Sequence, residues 1–153
     1  QELIDRLLAS SQYGAAYACV RQLGFGFLDM AWHSITEPYE GDDFQFEYNA
    51  VNDVKAFEPV EGCIMSPQFT HIFSGGYAAG YYGYKWAEMI ECDAFDKFKQ
   101  DGIFNPDTAK SWLDNVLSRG GTEDPMTLYK RFRGAEPSID ALKRRDGITD
   151  CQQ

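Results

Sequence analysis

Residues 71–88 read His-Ile-Phe-Ser-Gly-Gly-Tyr-Ala-Ala-Gly-Tyr-Tyr-Gly-Tyr-Lys-Trp-Ala-Glu, a run holding four tyrosines and four glycines. Tyr77, Tyr81 and Tyr84 stand at i, i+4 and i+7, the spacing of one helix face. The pattern predicts a helix from about Tyr77 to Gln100, stopped by Asp101-Gly102. A phenol stays a neutral O–H donor at physiological pH, so such a row opposite His71 can hold a peptide carbonyl or steady an oxyanion. Aromatic residues at this spacing also serve as plain core packing. The glycines favour function: Gly75, Gly76, Gly80 and Gly83 each weaken a helix by about 1 kcal/mol against alanine. Gly75-Gly76 reads as a hinge, and Gly80 and Gly83 as points of close backbone approach by a neighbour or ligand. Tyr82, off the stripe, is expected in the core with Trp86 and Phe95, and Lys85 and Glu88 in solvent.

Outward from this run the chain reads as helices joined by capped turns. Gln1–Ala9 and then Tyr13 to about Ile35 are helical by period, the second with Ala16, Val20, Leu23, Phe27, Met30 and Ala31 as its apolar face. His33, near the end of that helix, is read as a helix-terminal or core histidine. Thr36–Asp43 is a loop, Phe44–Phe57 a further helix, and Glu58–Gly76, with Pro59, Gly62 and Ser66-Pro67, a long connection. Asn105-Pro106 and Asp124-Pro125 are start signals of N-cap followed by N1 proline, Gly120-Gly121 is a terminator, and Pro137–Arg145 is a last helix ending at Gly147. No alternating apolar pattern flanks an Asn-Gly or Asp-Gly turn, so the fold class is all-α.

The 153 residues are 44% hydrophobic and 15% aromatic, enough to bury one core, and residues 1–148 are expected as a single helical segment with 149–153 as a tail. A net charge of −10 argues against nucleic acid, which is bound through clustered Lys and Arg. Arg131, Arg133, Lys143, Arg144 and Arg145 do cluster, and are read as a solvated face. No run of eighteen apolar residues is present to span a membrane. Cys19, Cys63, Cys92 and Cys151 are widely spaced and form no C-x-x-C, which favours reduced thiols and a cytoplasmic protein.

The 71–88 run resembles the corresponding stretch of the thimet oligopeptidase family of zinc metallopeptidases, in its bacterial oligopeptidase A and peptidyl-dipeptidase branch. The resemblance continues through Asp93-Ala94-Phe95, Gly102-Ile103-Phe104-Asn105, Ser118-Arg119-Gly120-Gly121, Asp124-Pro125 and Phe132-Arg133-Gly134 to Gly147-Ile148. Arg21-Gln22-Leu23, Phe25-Gly26 and Asp29 resemble the helix that follows the family's metal-binding segment. That segment carries an H-E-x-x-H, and neither His33 nor His71 is followed by Glu, so no metal ligand is assigned in this chain. The resemblance therefore implies the C-terminal part of a larger helical peptidase, inactive alone, with Zn2+ held by the remainder of the peptidase chain and short peptides as substrates.

Carried over position by position, the resemblance makes Tyr84 the catalytic donor to the oxyanion. It makes Tyr77 a substrate-reaching residue on a mobile glycine loop hinged at Gly75 and Gly76, Tyr81 a third tyrosine near the cleft, and His71 a binder of the substrate backbone. The His71-to-Tyr77 spacing is that of the bacterial branch. In the family's closing F-x-G-R-x-P pattern the arginine position is here Ala135, and no role passes to it. A reading from another class is a stand-alone helical module that binds peptides without catalysis. A cysteine hydrolase built on Cys63 and His71 has only their nearness in sequence in its favour.

Overall fold

The computed structural model describes residues 1–148; Cys151 and the 149–153 tail lie outside the described residues. These are all-helical, with no strand among them. They gather into two compact units, Gln1–Trp86 and Ala87 onward.

In the first unit, α1 (Glu2–Ser11) is followed by α2 (Ala15–His33) and α3 (Asp43–Val51). Leu28 on α2 joins Phe69 and Ile72 in the core of this unit, and Phe25, Trp32, Ala50, Val51, Met65 and Tyr81 pack around them. The face of α2 expected to be buried is turned the other way, since Leu23, Phe27 and Met30 are exposed. The helix is apolar around most of its circumference, so period alone does not choose a face.

The Asp42 carboxylate caps α3 by accepting the Gln45 N–H at 2.7 Å. The helix ends at Val51 rather than Phe57, because the Val54 and Lys55 N–H groups both return to the Val51 carbonyl. Glu47 on α3 then reaches across to accept the Met65 N–H at 2.8 Å and the Ser66 N–H. That contact starts a 3-10 turn, Ser66–Gln68, and the short α4 (Thr70–Phe73). The long connection expected at 58–76 is thus shortened by two ordered turns.

The tyrosine run departs from expectation. α5 spans Gly83–Asp101, so Tyr77 and Tyr81 precede the helix and only Tyr84 lies within it. Ala79 sits at φ 52°, a left-handed conformation no α-helix tolerates. From Tyr77 to Tyr84 the backbone instead makes successive three-residue returns, Gly80 to Tyr77, Gly83 to Gly80 and Tyr84 to Tyr81. Gly83, expected at a close approach, has open space where a Cβ would lie, and at Gly80 the nearest atom to such a Cβ is the Tyr77 carbonyl oxygen at 3.5 Å, an ordinary contact. Tyr82, Trp86 and Phe95, expected in the core, are 59%, 50% and 46% exposed.

The second unit follows its punctuation closely. α5 ends at Asp101 before Gly102, and Asn105 caps α6 (Pro106–Trp112) by accepting from the Asp107 and Thr108 N–H groups. α6 continues as one wider turn, Leu113–Leu117, closed by the Ser118 N–H reaching back to Leu113. Asp124 caps α7 (Pro125–Arg133), Gly134 ends it at φ 81°, and α8 (Asp140–Asp146) ends at Gly147. The core of this unit is Ala94, Tyr129 and Phe132, walled by Ile90, Phe98, Trp112, Val116 and Met126.

The basic cluster is an ion-paired surface and not a merely solvated one. Arg131 forks onto Glu123, Arg133 onto the buried Asp93, Arg144 meets Asp96 at 2.8 Å, and Arg145 meets Glu88 and Asp146. Glu88, expected in solvent, is one of those partners.

Candidate functional site

The site is assembled by turns and not by a helix face. His71 is on α4, and the chain reverses through Gly75 and Gly76 so that the Tyr77 N–H returns to the His71 carbonyl at 3.1 Å. Both glycines are required there: a Cβ on Gly75 would lie 2.8 Å from the His71 Cα, and Gly76 has φ 83°.

The reversal brings four rings together. His71 lies 6.0 Å from Tyr77 and 6.1 Å from Tyr81, centroid to centroid; Tyr77 stacks on Tyr84 at 5.0 Å, and Tyr81 meets Tyr84 edge-on at 5.1 Å. The structure therefore brings His71, Tyr77, Tyr81 and Tyr84 together, by a different geometry from the one expected, while among the described residues no hydrogen bond joins Cys63 to His71. Tyr81 is the inward ring, set against Phe69 at 5.1 Å and Phe25 at 5.7 Å. Tyr77 and Tyr84 are the outward pair, 40% and 39% exposed.

A hydrogen bond with Tyr77, reinforced by partial burial and by the nearby phenols of Tyr77 and Tyr81, raises the Tyr84 pKa to about 12. Tyr84 is thus a neutral O–H donor throughout the physiological range. A protonated phenol next to a second hydroxyl and an imidazole suits donation to a carbonyl oxygen on which charge is growing.

Beneath the rings lies a residue to which sequence reasoning gave no role. Asp29, in the middle of α2, is fully buried and accepts the Ala79 N–H on Oδ1 at 2.9 Å and the Tyr81 N–H on Oδ2 at 2.8 Å. His33 Nδ1 faces both Asp29 Oδ1 at 2.8 Å and the Asp29 carbonyl at 2.9 Å, two acceptors, so this nitrogen carries a proton. The signal was a carboxylate set between Phe27-Leu28 and Met30-Ala31, where only a fully paired acid is tolerated.

Among the described residues no three His, Cys, Asp or Glu side chains group as a metal site. The described residues do not make up the ligand set of a catalytic zinc. A cavity of about 320 Å³ opens between α2 and α3, bounded by Tyr17, Val20, Phe25, Leu28, Val51 and Met65, and none of the four site rings lines it.

The model of peptidase family M3 matches residues 1–148. The chain is 46% identical to oligopeptidase A of Escherichia coli strain K12 over 149 residues, 97% of this chain and 22% of that protein. It is 35% identical to dipeptidyl carboxypeptidase of Salmonella typhimurium over 96% of this chain and 22% of that protein. It is 33% identical to saccharolysin of Saccharomyces cerevisiae over 97% of this chain and 21% of that protein. The chain thus spans about a fifth of the length of these relatives. On these matches, running through the tyrosine turn and both helical units, the chain belongs to peptidase family M3.

Proposed function

We propose that residues 1–148 form the substrate-binding and oxyanion-stabilising portion of a zinc-dependent peptidase that hydrolyses short peptides, as an oligopeptidase or peptidyl-dipeptidase. The observation that carries this is the outward Tyr77–Tyr84 pair, stacked with ring centroids 5.0 Å apart and flanked by His71. In this reading a zinc ion would be held by the remainder of the peptidase chain and would supply the activation of water, while the residues of this chain act on the substrate. Tyr84 donates its phenolic proton to a hydrogen bond with the carbonyl oxygen of the scissile bond, and that bond strengthens as charge develops. His71 and Tyr81 bind the substrate backbone beside Tyr84, and Gly75 and Gly76 let the Tyr77 turn close on it.

The exposed apolar face of α1, Leu3, Ile4, Leu7 and Leu8, supports the rest of the peptidase as its partner, since an uncovered stripe of that size is a contact surface. No helix among the described residues is long and apolar enough to cross a membrane, and Cys19, Cys63 and Cys92 are free thiols. The free thiols support a reducing compartment such as the cytoplasm.

Purified residues 1–153 are expected to bind no stoichiometric zinc and to cleave no short peptide, while the complete enzyme binds zinc and cleaves such peptides. Zinc retained at one equivalent by the isolated chain, or peptide cleavage by it, removes the division of labour. Peptide binding by the isolated chain, with no activity in the complete protein, favours the stand-alone module.

A further inference from the structure

Three features outside the ring cluster invite attention: the cavity between α2 and α3, the buried Asp93–Tyr129–Arg133 network and the buried Asp29. The third carries furthest. Asp29 is remote in sequence from the run it holds, yet both its oxygens are spent on the backbone of that run. One of those bonds fixes Ala79, a residue with a Cβ held at φ 52° although its side chain is exposed. Such a conformation persists only where surrounding contacts over-determine it. The other fixes Tyr81, whose carbonyl accepts the Tyr84 N–H at 3.2 Å at the start of α5.

We propose that Asp29 is a positioning residue for catalysis: its carboxylate clamps the 77–84 turn through the Ala79 and Tyr81 amides and so sets where the Tyr84 hydroxyl stands. This rests on the reading of Tyr84 as the oxyanion donor. The carboxylate touches no substrate and acts through the turn alone. His33, donating from Nδ1 to Oδ1, fixes the rotamer of the clamp from one turn further along α2. Two convergent N–H donors on opposite oxygens need an acceptor at both ends of the group, which a carboxylate supplies and an amide does not.

The test is Asp29→Asn in the complete enzyme, whose amide NH2 must face one of the two donors. Hydrogen exchange across 77–84 should quicken about tenfold, with exchange in α7 unchanged. The kcat for a short peptide should fall about ten- to a hundredfold with KM little altered. Combined with Tyr84→Phe, Asp29→Asn should lower kcat by no more than about twofold beyond Tyr84→Phe alone, because both act through one hydroxyl. Unchanged exchange overturns the clamp. Faster exchange with unchanged kcat, or losses that multiply in the double variant, overturns positioning. If Asp29→Asn does not fold, Ala79→Val strains the same turn from the exposed side, and wild-type kcat there overturns the proposal. Wild-type kcat in Tyr84→Phe alone strikes instead at the underlying reading of Tyr84, a result distinct from all of these.

Discussion

Replacing Tyr129 by phenylalanine removes a single hydroxyl from the best-defined polar network of the second unit. That hydroxyl donates to Asp93 Oδ2 at 2.6 Å, with Asp93 3% and Tyr129 5% exposed. A hydrogen bond to a charged acceptor in such surroundings contributes about 1.5–3 kcal/mol. Asp93 keeps Arg133, whose Nε and terminal nitrogen donate at 3.1 and 3.3 Å, so the carboxylate is not left bare and the loss should stay near the lower figure. A loss of about 1.5 kcal/mol corresponds to a fall in Tm of roughly 3–6 °C for a chain of this size.

The pH dependence is a second signature of the same bond. Burial, then the hydrogen bond to Asp93, hold the Tyr129 pKa well above that of a free phenol. Below about pH 10 both folded and unfolded phenols are protonated and the stabilisation is fully present. As the pH rises beyond that, the unfolded phenol ionises first and stability drains away. Urea unfolding of wild type and Tyr129→Phe at neutral pH and again in the alkaline range should show wild type losing more of its stability between the two. A variant within about 0.3 kcal/mol of wild type at neutral pH, or parallel losses at high pH, would refute the reasoning.

Other consequences are equally direct. Gly75→Ala places a Cβ 2.8 Å from the His71 Cα and 2.9 Å from its carbonyl oxygen, backbone atoms that cannot step aside, and should cost about 1–3 kcal/mol in chemical denaturation. Ala79→Gly relieves a left-handed alanine and should stabilise by up to about 1 kcal/mol in the same assay. Asp101 is held below the usual carboxylate range first by Lys97 and then by the Thr108 hydroxyl, so its NMR titration should move upward in Lys97→Met, and by less in Thr108→Val.

Local chemistry determines the second unit, and there the sequence could be read directly. Asn105-Pro106, Asp124-Pro125, Gly134 and Gly147 each act within one turn, and the helices begin and end where those residues stand. The first unit depends on two carboxylates acting over long stretches of chain, Glu47 on the backbone at 65–66 and Asp29 on that at 79–81. No period or propensity reports such a bond, so the tyrosine run, helical by spacing, is held as turns. His71, Tyr77, Tyr81 and Tyr84 still lie side by side, because the reversal at Gly75 and Gly76 brings together rings that a helix face would have aligned by register. The ion pairs of Arg131, Arg133, Arg144 and Arg145 were hidden for the same reason: their acidic partners are set by how α5, α7 and α8 pack.

Tyr84→Phe in the complete enzyme measures the central claim, because it deletes one hydroxyl and leaves the stacked rings in place. If Tyr84 donates to the developing oxyanion, kcat for a short peptide falls by about a hundred- to a thousandfold while KM changes little. A kcat equal to that of the wild type would contradict it.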